Sequence, residues 1–578
     1  MDQKILEKSQ SWANDTYFSE DFRNEIKLLL EENNEDELTD RFYKDLEFGT
    51  GGLRGILGAG SNRMNIYTVR KATQGLADYI LKQTEKTREA PSAAIAYDCR
   101  IKSDVFSREA ACVLAANGIK VHLYSELRPV PMLSFAVREL KTSAGIVITA
   151  SHNPSEYNGY KVYWSDGCQV VSPHDTGILE MVNAIHDFST VKVMDFKTAK
   201  ERGIIQMIPE SLEQSYFDRV NSLSLGDKNS NKEFGVVYTP LHGSGNYPVR
   251  EMLKRRGFEK IRIVESQEIA DGNFPTVVSP NPEEPTALQM AVEEAGEDDY
   301  LIMGTDPDAD RLGVMAKHQG SWHKINGNQI GQLMLEYYLA KMKEQGKLPG
   351  DGVYITTIVT SDLGREIANK YGVKTIETLT GFKYIGSIVR EMEEKKTGTF
   401  IFGTEESHGY LFSDFVRDKD GVIASMIFAE MCAELHSKGM TPLDKLDKIH
   451  QEFSYHTDSL INKVIKGQSG AQKISEIMSF LRRNPPKSIA GVLVRDIRDY
   501  DRKQIIDCQS GEIKGEIDMP KSNVLAFYMK DGSRITARPS GTEPKIKFYF
   551  NLRGDSEEAL ISLKQAYEND FSAMIEKI

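Results

Sequence analysis

Three apolar runs in this chain each open directly onto a polar loop: AGIVITASH from Ala144, DYLIMGTDPD from Asp299 and GTFIFGTEES from Gly398. Short apolar runs rich in β-branched and aromatic residues, bounded by turn residues, read as buried strands. In open α/β sheets, ligands bind beyond the carboxyl ends of strands. The likeness between the runs is structural rather than textual, and it predicts three similar α/β units that each carry a functional loop.

The patterns between the runs support this. From Arg70 to Ser151, helical periods (Arg70–Lys86, Asp104–Asn117, Met132–Leu140) alternate with apolar strands (Ala93–Tyr97, Lys120–Tyr124, Ala144–Thr149). Such alternation argues for a parallel sheet. Beyond about Thr441, strand-like runs surround one long helical stretch at Glu557–Lys577, which fits a separate α+β domain. A chain of 578 residues is too long for one core. The expected division is 1–205, with a helical extension and the Ser151 loop; 206–325; 326–440; and 441–578.

Lys and Arg number 72 against 85 Asp and Glu, a net charge of −13. That balance argues against nucleic-acid or anionic-membrane partners and requires any anionic ligand to be met by locally concentrated cations. The five cysteines are scattered without a CxxC pair, which fits a reducing cytoplasmic setting rather than a disulfide or zinc framework. The first residues lack an apolar core of the signal-peptide kind, and no stretch approaches a membrane span.

Four loops carry candidate chemistry. Ser151-His152-Asn153-Pro154 sets a serine at a strand end, with Lys161 ten residues on; by composition alone this is also an ordinary Asn-Pro turn. Asp306, Asp308 and Asp310 alternate along a strand-end loop and can converge on a hard cation such as Mg2+, Mn2+ or Ca2+. An EF-hand is excluded, because its sixth position would be Arg311 and its twelfth Lys317. Gly403–Tyr410 reads as a polar loop or a capped helix start. Arg538, Ser540, Gly541 and Thr542 offer a guanidinium, hydroxyls and backbone amides suited to phosphate. Near the N-terminus, Gly49–Gly55 concentrates glycines around Arg54 without the dinucleotide-binding spacing.

TASHNP with NGYK, DPDADR, GTEES, RPSGT and GTGGLRG, in this order of function, resemble the loops of the α-D-phosphohexomutase superfamily, in the branch that holds phosphoglucomutases and phosphopentomutases. The resemblance implies three similar mixed α/β domains plus a C-terminal α+β domain around a central cleft. It makes Ser151 the phosphoserine, with Arg54 beside it. Asp306, Asp308 and Asp310 become the ligands of one Mg2+, with a phosphoserine oxygen as a further ligand. Glu405 and Ser407 become the sugar-hydroxyl contacts, with Thr380, Gly381, Lys383 and Lys419 on further substrate loops. Arg538, Ser540, Gly541 and Thr542 become the grip on the non-reacting phosphate. Arg54, Lys161 and Arg311 are candidates for charge at the transferring group, and His152 and Lys161 for the general base.

The implied activity is interconversion of glucose 1-phosphate and glucose 6-phosphate, with glucose 1,6-bisphosphate as intermediate and activator. The partners are thus small sugar phosphates. EES at Glu405–Ser407 resembles glucose-directed members more than the EMS of dual-specificity ones. Mannose or pentose phosphates remain alternatives, as does a phosphatase using the same serine and cation. Oligomeric state is not readable.

Overall fold

The computed structural model describes residues 2–49, 51–88, 90–227, 229–465, 468–540 and 545–578. It divides into two compact units. The first comprises Met1–Asn326, Phe382–Phe402 and His408–Lys438, and the second Gly327–Gly381, Gly403–Ser407 and Gly439–Ile578.

The first unit opens with helices Gln3–Asn14, Glu20–Glu31 and Glu35–Phe42. They enclose an aromatic core in which Trp12 stacks on Phe18 with ring centroids 3.9 Å apart. The acidic run at 31–37 spans the end of one helix and the start of the next. Asn34 caps that start, and Glu35, Asp36 and Glu37 occupy the first turn, where free backbone N–H groups favour negative charge.

The first sheet contains β1 (Gly52–Ile56), β2 (Ser92–Tyr97), β3 (Lys120–Leu123), β4 (Ala144–Ile148), β5 (Tyr157–Trp164) and β6 (Ile205–Met207), in the order β1-β5-β4-β2-β3-β6. β2, β3, β4 and β6 pair in parallel, as the alternating pattern predicts. β5 is antiparallel to both β4 and β1, so the sheet is mixed. The reason is chain length. Eight residues separate Ile148 from Tyr157, fewer than the ~10–12 that a parallel crossover needs. The Ser151 loop is therefore a hairpin connection, and Lys161 stands on a strand with Val147 opposite. Every residue of β4 is buried, and Ile146 and Ile148 join Ile95, Tyr160 and Val162 in the core.

The second sheet contains β7 (Gly235–Thr239), β8 (Ile261–Ile263), β9 (Asp299–Thr305), β10 (Leu312–His318) and β11 (Ser321–Ile325), ordered β11-β10-β9-β7-β8. β7 pairs in parallel with β8 and β9, while β9, β10 and β11 form an antiparallel meander. The acidic loop is the β9–β10 connection.

In the second unit, β12 (Gly352–Thr357) and β13 (Lys374–Thr378) pair in parallel. β14 (Thr399–Glu405) starts in the first unit and ends in the second, and β15 (Gly409–Leu411) belongs to the first. A larger sheet follows from β16 (Tyr455–Val464), β17 (Ser488–Ile489), β18 (Val492–Asp499), β19 (Gln504–Asp507), β20 (Ile513–Glu516), β21 (Leu525–Met529), β22 (Arg534–Pro539) and β23 (Lys545–Gly554). Helix Glu557–Glu576 packs on it through Phe571, whose ring meets those of Phe548 and Phe550. Among the described residues no helix is long and apolar enough to cross a membrane, and the five cysteines are free.

Candidate active site

Ser151 follows β4 in the left-handed backbone region, with φ +51°. That region is unfavourable for a residue with a Cβ and persists only where surrounding contacts dictate it. Those contacts come mainly from Arg100, just beyond the end of β2. Its Nη2 donates to the carbonyls of Ser151, at 2.6 Å, and Asn153. Its Nη1 donates to the carbonyls of Pro154 and Tyr157, each at 2.9 Å. Arg100 is buried beside Asp98, at 3.6 Å, and its guanidinium lies 5.0 Å from the Phe274 ring centroid. The Ser151 amide donates to Thr149 Oγ1 at 2.8 Å.

The serine side chain faces the acidic loop. Ser151 Oγ donates to Asp306 Oδ2 at 2.7 Å, and Thr149 Oγ1 donates to Asp308 Oδ2 at 3.2 Å. His152 Nδ1 lies 3.2 Å from Ser151 Oγ. Burial, reinforced by Arg311 and Arg54, pushes the His152 pKa well down, which leaves a neutral imidazole.

Asp306, Asp308 and Asp310 are all buried, with one carboxylate oxygen from each lying within 4.8 Å of the others. Three cations answer them. Lys161 Nζ is 2.8 Å from Asp308 and 3.7 Å from Asp310; Lys419 Nζ is 2.9 Å from Asp310. Arg311 Nε is 3.9 Å from Asp306 and 3.8 Å from Asp310, and the guanidinium also pairs with Glu283. Burial raises the Asp306 pKa strongly, and Asp308 and Asp310 raise it further. Burial acts on Asp308 in the same direction, but Lys161, a hydrogen bond with Asp306 and the Lys419 charge together outweigh it and hold Asp308 low. Asp308 Oδ1 and Asp310 Oδ1 are buried without a hydrogen-bond partner. Buried oxygens left in that state are costly, and a hard cation with oxygen preference would satisfy both. The donor set therefore fits Mg2+.

Other expected residues fall as follows. Arg54, on β1, donates to Asn153 Oδ1 at 3.2 Å. Lys383 opens helix Phe382–Lys395, and burial lowers its pKa. In the second unit, Glu405 accepts from the Gly381 amide at 2.7 Å, and Thr380 Oγ1 is buried without a partner. No helix starts at 403–410; Glu405 ends β14, and Ser407 follows in a turn. Glu406 accepts from Thr357 and Thr360 at 3.4 and 3.3 Å, and burial, with Glu405 adding to it, pushes its pKa up to about 7. Arg538, late in β22, is 3.5 Å from Tyr549 Oη, and the Ser540 amide donates to the Lys545 carbonyl at 2.8 Å. Gly541 and Thr542 lie outside the described residues.

Sequence reasoning missed Arg100, Asp98 and Glu283. Asp98-Cys99-Arg100 follows β2 directly, so the strand-end rule that flagged Ser151 applies there too. Glu283 sits in an irregular proline-rich loop and carries no comparable local signal.

A strand-end serine bonded to a buried three-carboxylate cation site, on α/β sheets, is the layout of a phosphohexomutase. Four successive regions match the phosphoglucomutase/phosphomannomutase descriptions: alpha/beta/alpha domain I over 45–188, domain II over 214–320, domain III over 326–453, and the C-terminal domain over 493–566. The phosphoglucomutase of Staphylococcus haemolyticus (strain JCSC1435) is 38% identical over 519 residues, 89% of this chain and 92% of that protein. That of Staphylococcus aureus (strain MRSA252) is 38% identical over 532 residues, 91% and 93% of the two chains. The chain belongs to the phosphoglucomutase/phosphomannomutase family. Its fold is shared with pp63/parafusin (phosphoglucomutase) from Paramecium in its open form (TM-score 0.66, 17% identity, 92% of this chain and 95% of that one). It is also shared with a family protein from Burkholderia thailandensis (TM-score 0.64, 18% identity, 91% and 97%).

Proposed function

We propose that the protein interconverts α-D-glucose 1-phosphate and glucose 6-phosphate by passing a phosphoryl group through Ser151, with glucose 1,6-bisphosphate as intermediate. The observation that carries this reading is the 2.7 Å bond from Ser151 to Asp306 at the rim of the buried carboxylate cluster.

Starting from the phosphorylated enzyme, the bond between phosphorus and Ser151 Oγ breaks, and one forms to a sugar hydroxyl oxygen. The hydroxyl proton passes to a base. His152 is the neutral group beside Ser151 Oγ, whereas Lys161 is engaged by Asp308 and Asp310. Mg2+ held by Asp306, Asp308, Asp310 and an oxygen of phosphorylated Ser151 would supply positive charge for the departing serine oxygen. Arg54, Lys161 and Arg311 are the side chains assigned to balance charge on the transferring group, whose oxygens carry most of it. The bisphosphate then turns end for end and returns its other phosphate to Ser151.

The second unit supplies groups suited to the remaining tasks. Glu405 and Ser407 are assigned to sugar hydroxyls, with Gly381 bonded to Glu405 in the same unit and Thr380 next to it in the chain; Lys383 and Lys419, in the first unit, are assigned to the substrate as well. Arg538, Ser540, Gly541 and Thr542 are assigned to the phosphate that is not reacting. Free thiols and small anionic substrates fit a cytoplasmic enzyme.

The test is a side-by-side assay of glucose, mannose and ribose 1-phosphates in Mg2+, with intact-mass analysis for phosphate on Ser151. Glucose 1-phosphate is expected to give the highest kcat/KM. A preference for mannose or ribose overturns the substrate assignment, and phosphate release outpacing isomerisation overturns the mutase assignment.

A further inference from the structure

The segment Pro240–Gly245, PLHGSG, follows β7, and its backbone is strained. Leu241 and His242 are consecutive residues with φ +46° and +61°. Two adjacent non-glycine residues in the left-handed region mark a place that the surrounding structure over-determines.

One side of the segment holds the acidic loop. Pro307, between Asp306 and Asp308, presents its carbonyl to the Ser244 hydroxyl at 2.7 Å and to the Ser244 amide at 2.8 Å. Gly243 permits that approach, since a Cβ there would stand 2.5 Å from Pro307 Cα.

The other side holds the strip of chain over the serine loop. The Ile269 carbonyl can only accept, so His242 Nδ1, 3.0 Å away, carries the proton. His242 Nε2 then accepts from Thr276 Oγ1 at 2.9 Å. Gln267 donates to Thr276 at 3.0 Å and accepts from Thr239 at 2.6 Å, which leaves this relay satisfied at each member. The strip it ties down bears once on the serine loop itself and twice on the Arg100 segment that clamps it. Gly272 abuts the Cys99–Ile101 backbone, Phe274 lies over the Arg100 guanidinium, and Ser279 Oγ donates to the His152 carbonyl at 3.0 Å.

We infer that Pro240–Gly245 is a bracket that sets the spacing between the serine loop and the carboxylate loop, with Ser244 as a positioning residue for the metal ligands and His242, through Thr276, as a positioning residue for Ser151 and His152. This rests on the metal-assisted reading of the site. Residues that orient ligands from behind typically change metal affinity ~10–100-fold when removed.

The test measures Mn2+ binding by electron paramagnetic resonance alongside steady-state kinetics. Ser244→Ala is expected to weaken Mn2+ binding by at least ~10-fold. Ser107→Ala, an equally buried hydroxyl that bonds within its own helix, should leave Mn2+ affinity and turnover unchanged. Thr276→Val, at a half-buried position, should leave Mn2+ affinity unchanged and lower kcat by about tenfold at unaltered KM, the signature of misplaced reacting groups. Equal Mn2+ affinity in Ser244→Ala and wild type overturns the bracket on the carboxylate side. Unchanged kcat in Thr276→Val overturns it on the serine side, and that arm stands even if Ser244→Ala does not fold. A wild type that takes up no Mn2+ overturns the metal reading itself, and the bracket with it.

Discussion

Ser151 Oγ and Asp306 Oδ2 are 2.7 Å apart although 155 positions separate them in the chain. The contact joins the end of one strand to the end of another in a different sheet, and it places the serine hydroxyl of the TASHNP loop against the carboxylate cluster. Replacing Ser151 with Ala removes the phosphoryl acceptor without disturbing the Arg100 clamp, which binds backbone carbonyls. The variant should stay unphosphorylated after incubation with glucose 1,6-bisphosphate, by intact mass, and show background activity with a cooperative unfolding transition retained.

Asp306 should couple stability to pH in metal-free protein. Its folded pKa lies well above the ordinary value, through burial and then its two acidic neighbours. The native state therefore binds the proton more tightly than the unfolded chain, and stability falls as pH rises from the ordinary carboxylate range through the folded pKa. In chelator, thermal melts should show that loss in wild type and a flatter profile in Asp306→Asn.

Mg2+ should reverse the loss. A ligand that binds only the native state stabilises by RT ln(1 + [L]/Kd), about 2.7 kcal/mol at a hundredfold excess over Kd. Titrating Mg2+ into chelated protein should raise the wild-type Tm and restore activity. Asp308→Asn should show neither effect.

Arg100 should dominate the integrity of the serine loop. Arg100→Met leaves four carbonyls without their donor and Asp98 buried without its partner, and should cost about 3–5 kcal/mol by urea denaturation. Arg100→Lys keeps the charge but not the fork, so it should recover stability better than it recovers kcat.

Glu406 should add a second pH response. Its pKa is raised to about 7 by burial and then by Glu405. The native state again holds the proton more tightly, so its contribution is complete below the ordinary glutamate range and is lost as pH climbs to about 7. Glu406→Gln should remove that slope, worth about 3 kcal/mol between acid and neutral pH, in unfolding monitored across that interval.

What could be read from the chain alone was local. Apolar runs ending in polar loops located β4, β9 and β14 to within a few residues. Alternating acids with an EF-hand excluded pointed to Asp306, Asp308 and Asp310, and these converge. Both signals depend on neighbours in sequence, because strand burial and ligand spacing have short periods. Tertiary structure decided what no period encodes. It turned Lys161 and Lys419, 258 positions apart, onto one carboxylate, Asp310. It made the serine loop a hairpin by adding β5 antiparallel, and it put Arg100 beneath Ser151 and Glu283 beside Arg311. A buried charge must be matched by whichever opposite charge the fold brings within reach, and chain order does not restrict which residue that is.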